Sequence, residues 1–283
     1  MKNVCVDIGG TNIRIALFEN DKIVAKEKYP ISHKDYKIAM NQIIAFCEKY
    51  NALKLAICFP GIADYDTGTI LKATNLPEWE NISLKSYLYN NSKITEIICT
   101  RDSSAMALAN HFYFKQNINN ITQFFTISTG FGAGLIMNNK IYEGANKKAQ
   151  IVYKAPWSSV DGITEIGKIC SGNGMSNYAK YLDQNWTSKE IFNNYKSLPI
   201  AKQIINYAIE ALSKAICSSA VLINPNLFVF GGAIARENKW FIDAAINKAK
   251  SFLDPVNYQN VNFKTEELND DSALIGLNHL LNK

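Results

Sequence analysis

Two carboxylates stand where apolar runs give out. Asp7 closes "VCVD" just ahead of Gly9 and Gly10, and Asp102 follows "IICTR" just ahead of a helical run that opens at Ser103. A side chain at a strand's carboxyl end faces the edge where open α/β sheets collect their ligands. Asp7 sits beside a glycine turn whose backbone N–H groups can converge on an anion, so it suits a hydrated Mg²⁺ held through water. Asp102 suits a base that accepts the proton of a bound hydroxyl. Together they describe phosphoryl transfer, in which metal and backbone donors neutralise phosphates while a separate acid orients the attacking alcohol. The plainer reading of Asp102, an N-cap for the helix starting at Ser103, stays open on these residues alone.

A second glycine turn, "STGFGAG" at residues 128 to 134, follows another apolar strand. Glycine leaves no Cβ in the way of an approaching anion, although a tight turn needing positive φ would select the same residues. Neither turn is GxxxxGK[ST], and "GFGAG" does not open a helix as GxGxxG does, so the P-loop and dinucleotide readings are weak.

The elements that must hold these residues form a repeated plan. Val4 to Ile8, the glycines, Ile13 to Phe18, the turn "ENDK" and Ile23 to Lys26 make a strand meander. Met40, Ile43, Ile44 and Cys47 recur at helical spacing, Leu53 to Cys58 and Ile94 to Cys99 read as strands, and a helix runs from Ser103 to about Tyr113. Residues 124 to 144 then repeat the opening: strand, glycine turn, strand, an Asn-rich hairpin and a third strand. A helix from about Ala201 to Ile223, the strand Leu227 to Phe230, the turn "GGAIA", a helix from about Trp240 to Phe252 and a final helix at "DDSALIGLNHLL" complete the chain. This predicts two α/β lobes around a cleft, residues 1–117 and 118–283, with the last helix able to pack back on the first lobe; the polar segment "FKQNINNIT" marks the boundary.

Composition narrows the class. The 283 residues are 47% hydrophobic and 19% charged, and the +5 formal charge is scattered rather than gathered into basic arms, which argues against nucleic acid as a partner. Cys5, Cys47, Cys58, Cys99, Cys170 and Cys217 lie far apart, mostly in apolar runs, and read as reduced buried thiols. No charged-then-apolar leader opens the sequence, and no apolar run reaches the ~18 residues of a spanning helix, so a cytoplasmic protein without a membrane partner is expected.

The blocks "DIGGTNIRIAL", "FPGIADYDTGTILKATNLPEW", "RDSSA", "STGFGAGLIMNNKIYEGAN", "CSGNG", "INPNLFVFGGAIA" and "DDSALIGL" resemble, in order and over nearly the whole chain, those of the ROK family of repressors, open reading frames and sugar kinases. The resemblance implies the two-lobed actin/hexokinase/Hsp70-like fold, a duplicated ribonuclease H-like α/β architecture. It also implies ATP and Mg²⁺ as cofactors, a hexose or N-acetylhexosamine as substrate, as in glucokinase or N-acetylmannosamine kinase, and a homodimer. Carried over by residue, it makes Gly9, Gly10, Thr11 and Asn12 the first phosphate loop with Asp7 near the metal, and Thr129 and Gly130 part of the second. Ser171 and Gly172, with Gly231, Gly232 and Ala233, would approach the adenosine. Pro60, Gly61 and Asn75 would border the sugar, and Asp102 would be the catalytic base.

The sugar side departs from the family pattern. Arg101-Asp102-Ser103-Ser104 stands for N-D-x-N, and Ile151-Val152-Tyr153-Lys154 stands for E-x-G-H. A sugar-binding glutamate falls at Gly167, with Glu165 close by as a substitute. The family's zinc-site cysteines and histidine are missing, so no structural zinc is expected. These losses imply either a changed substrate or decayed catalysis. Arg101 and Lys154 would suit a sugar bearing carboxylate or phosphate; alternatively Lys154 points to solvent, and Arg101 pairs with Asp102 and lowers its pKa. A sugar kinase therefore leads, a non-catalytic sensor of sugar or nucleotide is the alternative, and a kinase for an acidic sugar is a third. A DNA-binding repressor is not expected, because only six residues precede Asp7.

Overall fold

The structure is a computed structural model that describes residues 2–73 and 76–282. The chain divides into two compact units, one made of Met1–Tyr113, Glu143–Lys148 and Asp270–Lys283, the other of Phe114–Tyr142 and Ala149–Asn269.

In the first unit, β1 (Lys2–Ile8), β2 (Asn12–Glu19) and β3 (Lys22–Pro30) form the meander; α1 (Tyr36–Tyr50), β4 (Lys54–Phe59), the small hairpin β5 (Ile62–Asp64) and β6 (Thr69–Lys72), α2 (Leu84–Asn91), β7 (Glu96–Arg101) and α3 (Asp102–Tyr113) follow. Its sheet runs β3-β2-β1-β4-β7, with β1, β4 and β7 parallel. β1 is central, and every residue after Lys2 is buried, the polar Asn3 and Asp7 included, as befits a strand covered on both faces. β3 lies at the edge and alternates exposed and half-buried positions, with Lys22, Lys26 and Lys28 on the outward side; charge on an open edge deters further strand pairing. The Asp35 side chain caps α1 by accepting from Lys37 N at 2.9 Å, and Asn51 ends the helix in the left-handed region.

The second unit holds β8 (Thr122–Ile127), β9 (Phe131–Met137), β10 (Lys140–Ile141), the pair β11 (Pro156–Val160) and β12 (Ile163–Glu165), α4 (Gly167–Cys170), α5 (Gly172–Tyr181), α6 (Ser188–Asn193), α7 (Pro199–Leu222), β13 (Leu227–Gly231), α8 (Ala233–Glu237), α9 (Lys239–Lys250) and β14 (Asn262–Thr265). Among the described residues its sheet order is β10-β9-β8-β13-β14, the order of the first sheet over again. α7 starts on Pro199, whose fixed φ suits a first helical turn, and buries Ala201, Ile204, Ile205, Ala208, Leu212, Ala215 and Ile216 along one side. α10 (Ser272–Leu281) belongs to the first unit, where Ala273, Leu274 and Leu277 pack with Cys5, Ala56 and Ala105.

The repeat is less even than its sequence suggests. Both hairpins turn on two residues with positive φ, Asn20–Asp21 and Asn138–Asn139, the geometry that matches strand twist. Yet β3 runs nine residues while β10 has two, because the chain leaves the second sheet after Ile141 and residues 143–148 join the first unit. α2, α5, α6 and β14 add to the elements expected from the sequence; α5 opens on Gly172-Asn173-Gly174, residues poor at forming helices. All six cysteines are free, and Cys217 is partly exposed rather than buried. Among the described residues no helix is long and apolar enough to cross a membrane.

Candidate active site

Strand register assembles the first unit's candidates. β1 and β4 pair Asp7 with Cys58, β4 and β7 pair Cys58 with Thr100, and Asp102 opens α3 directly after β7. The antiparallel β1–β2 pairing puts Arg14 opposite Asp7, and Arg14 Nη1 donates to Asp7 Oδ2 at 3.0 Å. Arg14 Nη2 also lies 3.5 Å from Asp270 Oδ2, just ahead of α10. The Cys58 thiol donates to Asp7 Oδ1 at 3.4 Å. Both oxygens of this 5% exposed aspartate therefore have protein donors. Burial raises the Asp7 pKa against the lowering pull of Arg14.

Asp102 is raised to about 6, first because burial penalises its charge and further because Asp7 is near; the Ser103 N–H, donating to Oδ1 at 2.6 Å, and the Arg101 cation pull the other way. Arg101 thus fails to hold this acid low, and its guanidinium also lies against the Tyr65 phenol, whose pKa burial lifts to about 12. The N-cap reading fits poorly as well, since Asp102 is itself the first helical residue and bonds the very next amide, whereas an N-cap reaches two or three residues ahead.

At the first glycine turn, Gly9 N donates to Asn12 O at 2.9 Å, and Thr11 O accepts from Ile31 N, leaving Thr11 exposed at the tip. Pro60 and Gly61 link β4 to β5; Gly61 has φ +99°, and a Cβ there would overlap the Lys72 carbonyl. Asn75 lies outside the described residues.

The second unit brings three turns together. Gly172 N donates to Ser128 O at 2.8 Å and Asn173 N to Thr129 O at 3.0 Å, so the turn holding Ser171 and Gly172 rests on the turn holding Thr129 and Gly130. Ser171 caps α5 by accepting from Gly174 N at 3.0 Å. Gly232 takes φ +86° with Ile127 O 2.4 Å from where its Cβ would stand, which brings Gly231, Gly232 and Ala233 to the end of the same strand β8. A Cβ on Gly130 would meet nothing within 4 Å, so that residue is open to approach.

Lys154 and Glu165 meet each other instead: Lys154 Nζ donates to both Glu165 oxygens, at 2.9 and 3.1 Å, from a side chain 53% exposed. That bond raises the lysine pKa and lowers the glutamate's. Among the described residues no group of three or more His, Cys, Asp or Glu is arranged to hold a metal. Mg²⁺ keeps most of its water and needs only a carboxylate or two beside phosphate oxygens. Asp7 fits that outer role and, with Arg14 and Cys58 on its oxygens, does not fit direct ligation. Arg14, Cys58, Tyr65 and Glu266 do not stand out as site residues in the sequence. Of these only Arg14 carries a signal, since closing the Gly9–Gly10 hairpin in register sets it opposite Asp7.

This pair of like-ordered sheets with turns at their strand ends is the mixed α/β, actin/hexokinase-like fold of several solved sugar kinases. A ROK hexokinase from Thermus thermophilus matches with TM-score 0.83 at 18% identity, over 98% of this chain and 96% of its own. A ROK glucokinase from Streptomyces griseus, solved with glucose and AMPPNP, matches with TM-score 0.76 at 19% identity, over 99% of each. The ROK family profile matches residues 3–151 and 164–283, and the chain belongs to the ROK family. Its relatives include a glucokinase of Halalkalibacterium halodurans, 23% identical over 96% of this chain and 92% of that one, and an N-acetylmannosamine kinase of Vibrio cholerae, 24% identical over 83% and 84%. The DNA-binding transcriptional dual regulator NagC of Escherichia coli is 23% identical over 84% of this chain and 65% of its own length.

Proposed function

We propose that this chain is an ATP-dependent sugar kinase that transfers the γ-phosphoryl group to a hydroxyl of a hexose or N-acetylhexosamine. The observation that carries the reading is Asp102, a strand-end carboxylate with its pKa raised to about 6, which keeps it ionised at neutral pH while leaving it basic enough to take a proton. Glucokinase and N-acetylmannosamine kinase relatives support the substrate class.

Asp102 would accept the proton of the attacking hydroxyl, with the Ser103 amide fixing one of its oxygens. In the same unit, the turn from Gly9 to Asn12 would offer backbone N–H groups to phosphate oxygens. In the other unit, Thr129 and Gly130 would do likewise, while Ser171, Gly172 and the Gly231–Ala233 turn approach the nucleoside. Mg²⁺, bound with the nucleotide, would supply charge neutralisation on the phosphates, and Asp7 would meet it through water. Pro60, Gly61 and Asn75 would border the sugar. Arg101, whose charge acts on the base, would favour a sugar acid or sugar phosphate, whereas Lys154 is already neutralised by Glu165. We place the protein in the cytoplasm as a homodimer that binds neither nucleic acid nor membrane.

A coupled assay of ADP release over hexoses, N-acetylhexosamines, sugar acids and sugar phosphates tests the proposal; absence of turnover with all of them, in protein shown to bind ATP, removes it. The second reading, a sensor that binds without turnover, is favoured by the enclosure of Asp7 between Arg14 and Cys58 and by the likeness to a regulator. It predicts ligand-induced thermal stabilisation and equal product levels from wild type and Asp102→Asn.

A further inference from the structure

Glu266 is a buried carboxylate to which the proposed phosphoryl transfer gives no task. Its amide donates to Phe230 O at 2.9 Å and so extends the β13–β14 ladder to the edge of the Gly231–Gly232 turn. The side chain is only 1% exposed, and an ionised carboxylate so enclosed is costly unless donors surround it. Two of its donors belong to the turn and to the helix that follows: Gly232 N and Arg236 Nη1 each lie 3.4 Å from Oε2. Arg236 is tied to the same turn through its backbone, its amide donating to Gly232 O at 3.0 Å. Oε2 also reaches to 2.5 Å of where a Cβ on Gly231 would stand, while Ile127 O occupies the place of a Cβ on Gly232. The turn is thus a stretch of bare backbone gripped by one carboxylate and one carbonyl.

We propose that Glu266 is a positioning residue for the nucleotide site, fixing the Gly231–Gly232 turn both directly and through Arg236. The role rests on the sugar-kinase reading, in which that turn approaches the adenosine of ATP. Positioning follows from the bonding pattern: a glycine pair has no side chain to restrain it, so its conformation must be imposed from outside. Charge follows as well. With Arg236 as counter-ion, the carboxylate adds no net negative charge where a polyanionic ligand must approach; without Arg236 it would.

Glu266→Gln, Arg236→Gln and the double variant test this, read by melting temperature, by separate KM values for ATP and for the acceptor, and by calorimetric titration with ADP. Glu266→Gln is expected to raise the KM for ATP and the Kd for ADP about 5- to 10-fold, with kcat and the acceptor KM within twofold of wild type. Arg236→Gln, at a side chain 28% exposed and therefore tolerant of replacement, is expected to act in the same direction, and the double variant to add little to either single one. A purely structural role would lower the melting temperature and leave nucleotide affinity where it was. Folded variants whose ATP KM and ADP Kd stay within twofold of wild type overturn the role, as does an acceptor KM that rises in step with that for ATP. Should Glu266→Gln fail to fold, Arg236→Gln decides. A wild-type protein that binds no nucleotide overturns the reading of the site and this role with it; nucleotide binding indifferent to both residues overturns the role alone.

Discussion

The two sheets share one strand order but put different chemistry at the same register positions. In the first, Asp7 on β1 faces Cys58 on β4, and Cys58 faces Thr100 on β7. In the second, Thr126 on β8 faces Gly231 on β13, and Glu266 stands one step beyond the Phe230–Thr265 pair of β13 and β14. Acid on the central strand of one sheet is thus replaced by acid on the outer strand of the other. Each carboxylate meets an arginine, but the second contact of the first is a thiol and that of the second a bare glycine turn. The shared strand order supplies like-placed strand ends; side-chain choice then decides whether such an end carries a carboxylate or bare backbone.

The comparison breaks most severely if Asp102, whose unit would do the proton transfer, can be removed without loss. Asp102→Asn is expected to lower ATP-dependent phosphorylation by about 10²- to 10⁴-fold, the usual contribution of a positioned base, in a coupled assay. Stability should move the opposite way. A folded pKa near 6 lies above the ~3.9 of an unfolded aspartate, so the ionised carboxylate costs stability at about pH 7.5, and the cost shrinks as pH falls through 6 towards 4. The variant should therefore melt at or above the wild-type temperature at about pH 7.5, with the difference closing in acid.

The glycine turns of the other unit separate fold from function. Gly232→Ala, at φ +86° against Ile127 O, should destabilise by more than about 1 kcal/mol by urea denaturation. Gly130→Ala, with open space around it, should stay within about 0.5 kcal/mol of wild type; on the proposed reading it should yet weaken ATP binding, since the added methyl would stand in the path of a phosphate.

A third test sharpens the electrostatic contrast. The acid limb of kcat/KM should titrate near pH 6, and Arg101→Met should move it upward, since Arg101 lowers the Asp102 pKa; a limb that stays put would detach Arg101 from the base. The smallest effect belongs to Lys154→Ala. Its ion pair with Glu165 is exposed, and such pairs contribute about 0–1 kcal/mol, so the unfolding midpoint should barely change. A substantial loss of activity would return Lys154 to the substrate site.

Much of the fold is legible in the chain. Alternating apolar runs broken at Gly9–Gly10 and Gly130 mark both meanders, and the helix expected from Ser103 to about Tyr113 begins one residue earlier, at Asp102. The uneven third strands escape such a reading because the turns at Asn20–Asp21 and Asn138–Asn139 look alike, and the length of strand beyond each turn depends on which unit the chain joins next. Glu266 escapes it because "KTEELND" reads as a solvated charge run, and nothing local shows that one of its acids is enclosed.

By itself the sequence determined the strand plan, its repetition, and the placing of Asp7 and Asp102 at strand ends, because these arise from local periodicity and from where glycine interrupts it. Tertiary structure decided what each acid meets: Arg14 and Cys58 around Asp7, a raised pKa at Asp102, Glu165 taking up Lys154, and Glu266 beneath a glycine turn. Burial and cross-strand register set those outcomes, and both are properties of residues far apart in the chain, which no window along it contains.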